Sequence, residues 1–298
     1  MRRLCPILAV IVHCAAPTLA AEWELVWSDE FDAAVIDPAR WEHEVNARGG
    51  GNNELQYYTD RPENSYVADG KLVIQALEEA YVGPEGARRY TSARLRTLGR
   101  GDWLYGRFEI RAKLPRGRGI WPAIWMLPSD QEYGGWAASG EIDIMEFLGH
   151  ELDTVHGTLH YGGAWPRNVS MGRGYKVPDS DFSEGFHTFA LEWQVGEFRW
   201  YIDGHHYQTQ TRWHSEGVEF PAPFDKRFHL LLNLAVGGNW PGEPDDTTEF
   251  PQQFVIDYVR VYREAVPPEP TPEPEPEAGT PPAEAVSEEP PPPEPDGA

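Results

Sequence analysis

Three carboxylates stand close together in Gly140-Glu141-Ile142-Asp143-Ile144-Met145-Glu146-Phe147. If this stretch is a β-strand, Glu141 and Asp143 share one face, and Ile142 and Ile144 share the other. Strict alternation then places Met145, not Glu146, beside the two acids. One extra residue near Met145, a β-bulge, returns Glu146 to the acidic face, and bulges are common beside active sites. Carboxylates held together raise the pKa of at least one of them, because each charge disfavours the next. Cleavage of a glycosidic bond uses such a split: an ionised carboxylate attacks while a protonated one donates to the leaving oxygen. Retention of configuration needs the two about 5–5.5 Å apart. Four regular strand steps span about 13 Å between Cα atoms. Strand curvature, the bulge and the long Glu arms must therefore close the gap.

The residue types alone leave alternatives open. The acidic face could simply be solvated, or it could hold a hard metal ion through its oxygens. Aromatic neighbours shift the balance. Gly119-Ile120-Trp121-Pro122-Ala123-Ile124-Trp125 sets two Trp four residues apart, on one face if the segment is extended, and Trp136 precedes the acidic strand. Sugar rings present flat C–H faces that suit large aromatic planes with a polar edge. Three Trp near a carboxylate cluster favour a sugar cleft over a Trp-rich core.

The elements that must position these groups read as strands. In Trp103-Leu104-Tyr105-Gly106-Arg107-Phe108-Glu109-Ile110-Arg111-Ala112-Lys113-Leu114-Pro115 apolar and polar residues alternate. The pattern predicts one half-buried antiparallel strand with Leu104 inside and Trp103 outside. KLVIQALEE, TVHGTLHY, FHTFALEW, FRWYI, FHLLLNLAV and FVIDYVRVY are similar. Asp203-Gly204 is a hairpin turn signal. No long 3.6-residue period occurs, and the Gly/Pro punctuation predicts an all-β sandwich or barrel.

Composition excludes several functions. The 298 residues carry 48 acidic and 25 basic side chains, a net charge of −23. Phosphate backbones repel such a chain, so no nucleic-acid partner is expected. No apolar run reaches the roughly 20 residues that span a bilayer, so no membrane insertion is expected. Residues 1–20 combine Arg2 and Arg3, an apolar Ile7–Val12 run and a small-residue site ending at Ala20. That pattern predicts a signal peptide and a secreted product. Both cysteines, Cys5 and Cys14, fall inside it, so the mature chain is expected to lack disulfides. Residues 21–264 read as the globular domain. From 265 to 298 the chain is dominated by Pro and Glu, without Lys, Arg or aromatics. Such a segment is expected to stay extended and disordered.

Taken together, GEIDIMEF, GIWPAIWML, GGGNNELQYYTD, GTLHYGG, NLAVGGNWPG and VIDYVRVY resemble glycoside hydrolase family 16, on its laminarinase-type endo-β-1,3-glucanase side. The extra Met145 argues against the mixed-linkage branch, which usually reads E-I-D-I-E. The resemblance covers about Trp23 to Tyr262. It implies a curved jelly-roll sandwich with an open cleft on the concave face, and double displacement with retention on a β-1,3-glucan. It implies Glu141 as nucleophile, Glu146 as general acid/base and Asp143 as the group tuning them. Chemistry alone does not distinguish Glu141 from Glu146. The resemblance further implies Trp121 and Trp125 as the floor of the glycone subsites. Asn53, Arg94, Trp136, His160, Asn233 and Trp240 would be further substrate contacts. Asn53 could instead be a turn residue. No catalytic cofactor is expected. A structural calcium away from the cleft would be held by the Asp257 side chain and by main-chain oxygens near Glu30 and Gly70. The expected product is a monomer. The alternatives are a mixed-linkage β-1,3-1,4-glucanase and a non-catalytic glucan-binding protein on the same sandwich.

Overall fold

A computed structural model describes residues 22–178 and 180–265. The expected signal peptide, 1–20, and the expected tail beyond Ala265 lie outside the described residues. Eighteen strands are found among those described. They are β1 (Trp23–Asp29), β2 (Glu42–His43), β3 (Gln56–Tyr58), β4 (Ser65–Ala68), β5 (Lys71–Gly83) and β6 (Gly86–Ser92). There follow β7 (Arg94–Arg96), β8 (Asp102–Trp103), β9 (Gly106–Lys113), β10 (Ile120–Pro128), β11 (Glu141–Phe147) and β12 (Thr154–Tyr161). The last six are β13 (Val169–Lys176), β14 (His187–Gln194), β15 (Glu197–Ile202), β16 (His205–Gln210), β17 (Phe228–Val236) and β18 (Gln252–Glu264).

Two sheets form the jelly-roll sandwich. One has ten strands, ordered β16-β15-β14-β9-β18-β5-β6-β3, with β1 on β18 and β4 on β5. The other has eight, ordered β13-β12-β11-β10-β17-β7-β2, with β8 on β17. Strand β17 lies in the middle of the second sheet and is buried along its whole length. Leu230, Leu232, Leu234 and Val236 belong to the core cluster, where they join Phe108 and Ile110 of β9, Ile142 and Ile144 of β11, and Val259 and Val261 of β18. Burying one such side chain contributes roughly 1.5–3 kcal/mol. The alternation seen in the sequence is thus the division between this core and the outer faces.

The expected long strand from Trp103 onward is two strands in two different sheets. Trp103 belongs to β8, which pairs with β17, whereas β9 begins at Gly106 and pairs with β14 and β18. Tyr105 (φ 65°) and Gly106 (φ 135°) break the ladder between them. A Cβ at position 106 would sit 2.6 Å from the Tyr262 carbonyl oxygen, so only glycine fits. Burial reverses accordingly. Leu104 is exposed, while Trp103 packs edge-on between Trp27 and Phe108. The Asp203-Gly204 turn is as expected: both residues have positive φ and join β15 to β16.

Candidate active site

The acidic strand carries the expected bulge. Against β12, Asp143 pairs with Thr158 and Glu146 with His156, so three steps on β11 face two on β12. Against β10, Trp125 pairs with Asp143 and Ile124 with Met145. Met145 is fully buried, and Glu146 joins Glu141 and Asp143 in lining one cavity of about 650 Å³. The buried Trp200 indole of the opposite sheet donates to the Asp143 carbonyl oxygen at 2.9 Å. The core thereby grips the strand where its ladder is broken.

Few groups offset the three carboxylates. Trp136 donates its indole N–H to Glu141 Oε2 at 2.8 Å. Trp121 donates to Glu146 Oε1 at 3.2 Å. His160 Nε2 lies 3.2 Å from Asp143 Oδ2 and 3.6 Å from Glu141 Oε1. Burial, and then the neighbouring Asp143, push the Glu141 carboxyl up to about 7, against opposing pulls from His160, Trp136 and Arg94. Burial pushes Asp143 up to about 8. Burial, and then both other acids, push Glu146 well above the usual carboxylate range.

The cavity is walled from β10, β17 and β7. Trp121, Ala123 and Trp125 line it at alternate positions of β10, with Asn233 and Ala235 of β17 beside them. The Trp125 indole donates to Asn233 Oδ1 at 2.6 Å, and Asn233 donates to the Tyr58 hydroxyl at 3.2 Å. Tyr58 and Gln56 both donate to Glu54 Oε2. The buried Arg94 lies over the Trp125 and Tyr58 rings, with Glu44 at 3.7 Å and Glu54 at 3.8 Å. At these distances its guanidinium makes ion pairs without short hydrogen bonds to either acid, which leaves N–H donors unused.

Of the residues singled out in the sequence, Glu141, Asp143, Glu146, Arg94, Trp121, Trp125, Trp136 and Asn233 line the cavity together. His160 reaches it through Asp143 and Glu141. Trp240 packs edge-on to Trp121 and to His156, with centroids 5.5 and 5.0 Å apart. Asn53 does not line it. Its φ of 58° makes it a turn residue, its side chain donates to Asn239, and the neighbouring Asn52 faces the cavity instead. Glu54, Tyr58 and Trp165 escaped the sequence reading. Glu54 and Tyr58 fall in the GNNELQYY motif, where nothing local marks them as partners of Asn233 and Arg94. Trp165 shows only as a Trp beside Pro in a Gly-rich stretch.

Glu30, Gly70 and Asp257 meet in a separate shallow depression. Arg260 holds Glu30 at 2.8 Å. Arg111 bonds one oxygen of Asp257, and Lys71 Nζ lies 3.5 Å from the other. Among the described residues no helix is long and apolar enough to cross a membrane.

The family model "Glycosyl hydrolases family 16" matches residues 52–260. A "Beta-glucanase" of Rhodothermus marinus is 47% identical over 279 residues, covering 88% of this chain and 95% of that one. A "Glucan endo-1,3-beta-glucosidase" of Cryptopygus antarcticus is 43% identical over 251 residues, covering 80% of this chain and 91% of that one. Among solved structures, the catalytic domain of an endo-1,3-β-glucanase (laminarinase) from Thermotoga petrophila superposes with a TM-score of 0.73 at 46% identity, covering 82% of this chain and 99% of that one. The chain belongs to glycosyl hydrolase family 16.

Proposed function

We propose that this family 16 glycoside hydrolase is a secreted, endo-acting β-1,3-glucanase in which Glu141 is the nucleophile and Glu146 the general acid/base. The family retains anomeric configuration, and its chemistry needs no cofactor. One observation carries the reading of a two-carboxylate hydrolase: buried Asp143 and half-buried Glu141 and Glu146 share one bulged strand face whose polar partners are indole N–H groups and one imidazole; the order of the two glutamates' roles follows the family resemblance.

In the first step the Glu141 carboxylate attacks the anomeric carbon. Glu146 gives its proton to the glycosidic oxygen, the C–O bond breaks, and a glycosyl ester forms on Glu141. In the second step Glu146, now ionised, takes a proton from water. The water oxygen attacks the same carbon, and Glu141 leaves as carboxylate. Two inversions restore the starting configuration. Asp143, between the two, holds a proton at His160 and raises the affinity of both neighbours for theirs. Trp121 and Trp125 form the floor under the glycone sugars, and Arg94 and Asn233 meet their hydroxyls.

The Arg2-Arg3, Ile7–Val12 and Ala20 pattern supports secretion. The oxygen donors of Asp257, Glu30 and Gly70 suit a structural calcium. Arg111 and Lys71 would have to swing aside, so binding should be weak. Millimolar calcium is expected to raise the melting temperature, and an unchanged melting curve would count against the site.

The test is reducing-end release from laminarin, mixed-linkage β-glucan, cellulose and agarose. Strong release from laminarin, weaker from mixed-linkage glucan and none from the others is expected. Preference for mixed-linkage glucan would overturn the substrate assignment. Binding without turnover would overturn the enzyme.

A further inference from the structure

A second bulge faces the acidic one from the opposite sheet. Trp200 of β15 pairs with Gln208 of β16, and Tyr201 pairs with His206, which leaves Tyr207 as the extra residue. Two consecutive side chains, Tyr207 and Gln208, are therefore turned inward, while His206 and Thr209 on either side are exposed. The two bulges meet at Gly157. Its neighbours on β12, His156 and Thr158, are the partners of Glu146 and Asp143, so Gly157 lies across from the break in β11. It belongs to the inward row of β12, between Val155 and Leu159. A Cβ there would sit 2.5 Å from Cδ1 and 2.6 Å from Nε1 of Trp200, and 2.7 Å from the Tyr207 hydroxyl. Glycine in a strand marks such a close approach. The space it leaves lets the buried indole reach the Asp143 carbonyl, to which it donates at 2.9 Å. Beside it, Gln208 Nε2 donates to the Gly157 carbonyl at 3.2 Å.

Two main-chain carbonyls, one on each strand at the break, are thus pinned by donors from the other sheet. The pins come from the core side, away from the residues that line the cleft. The bulge has reason to drift without them. Its ladder to β12 is interrupted, and the three acids on its other side repel one another. A misplacement of about 1 Å at a reacting group can cost about 10²-fold in rate. We infer that Trp200, admitted by Gly157, is a positioning residue for hydrolysis: its N–H fixes the Asp143 main chain, and with it the separation of the Glu141 and Glu146 carboxyls. This rests on the glucanase reading of the cleft.

The experiment compares wild type, Trp200→Phe, Gly157→Ala and Ile202→Ala on a soluble β-1,3-glucan. Trp200→Phe keeps an aromatic ring and loses the N–H. Gly157→Ala keeps the indole and displaces it from the other strand. Ile202→Ala removes core volume two positions along β15 and touches neither carbonyl, so it reports what lost packing alone does. Each is assayed below its own melting temperature. For Trp200→Phe and Gly157→Ala, kcat should fall about 10–100-fold. KM should stay within about twofold, because no sugar contact is lost. The basic limb of the pH–rate profile should move to lower pH. The Glu146 proton is held by burial and by Asp143 and Glu141, against His160 and Trp121, and a looser bulge separates the acids. Ile202→Ala should melt lower with its limbs in place and its kcat within about threefold of wild type. Should either cleft-side change fail to fold, the other carries the test. A kcat loss no larger than that of Ile202→Ala, or a basic limb that stays in place, would overturn the inference and leave the glucanase reading intact. A folded wild-type protein with no activity on the glucan would sink that reading and this inference with it.

Discussion

The cleft face of the eight-stranded sheet and the outer face of the ten-stranded sheet both carry rows of carboxylates, yet they treat them in opposite ways. On the outer face Glu109, Glu192 and Glu30 each have an arginine. Arg107 bridges Glu109 at 3.0 Å and Glu192 at 2.7 Å, and Arg260 grips Glu30, whose pKa it lowers by hydrogen bonding. In the cleft no Lys or Arg lies within 4 Å of Glu141, Asp143 or Glu146 among the described residues, and burial pushes all three pKa values up. The same residue types serve as framework on one face and as stored chemical potential on the other. What differs is the partner supplied by the neighbouring strand.

The strongest way to break the contrast is to neutralise the cleft. Glu141→Gln or Glu146→Gln should lower glucanase activity at least about 10³-fold without weakening the fold. The sign follows from linkage. The Glu141 carboxyl ionises near 7 when folded and near 4.5 when unfolded. Its cost is therefore absent below about pH 4.5 and grows as pH rises toward 7, reaching on the order of 3 kcal/mol. Melting curves from pH 4 to 8 should show Glu141→Gln gaining on wild type across that window. A variant that loses ground there would contradict the raised pKa of this acid.

Removing the weak partners comes next. His160→Ala should cost about 10–100-fold in kcat, because it removes the one imidazole that faces both Asp143 and Glu141. It should also move the acidic limb of the pH–rate profile upward, because His160 now draws Glu141 down. Trp136→Phe keeps the ring but loses the N–H, and should cost about tenfold with a shift in the same direction. A limb that stays in place in both variants would separate these groups from Glu141 ionisation.

The smallest effect on turnover belongs to the outer face. Arg107→Met leaves Glu109 without its cation and Glu192 with only Arg199 at 3.8 Å. It should lower stability by about 1–3 kcal/mol, seen as a melting temperature several degrees lower. Its kcat on glucan should stay within about twofold of wild type. A large loss of activity would mean that the two faces are not independent.

Much of the site was legible in the sequence because its logic is local. Alternation placed Glu141 and Asp143 on one face, the spacing to Glu146 demanded a bulge, and Trp121 and Trp125 fell on one side of their strand. What was not legible depends on contacts distant in sequence. Asn233 meets Tyr58 across 175 positions, and no local period announces that pairing. Asn53 and Asn52 are adjacent asparagines, and only the left-handed turn at Asn53 decides which one faces the cavity. The break at Tyr105-Gly106 was hidden because alternation continues through it while the chain changes sheets.

The most direct test of the central claim is the configuration of the first product. Proton NMR of the anomeric signals during early hydrolysis of a β-1,3-glucan should show the β-anomer first, with the α-anomer rising only as mutarotation proceeds. An α-anomer that appears first would mean a single displacement by water, and Glu141 could not then be the nucleophile.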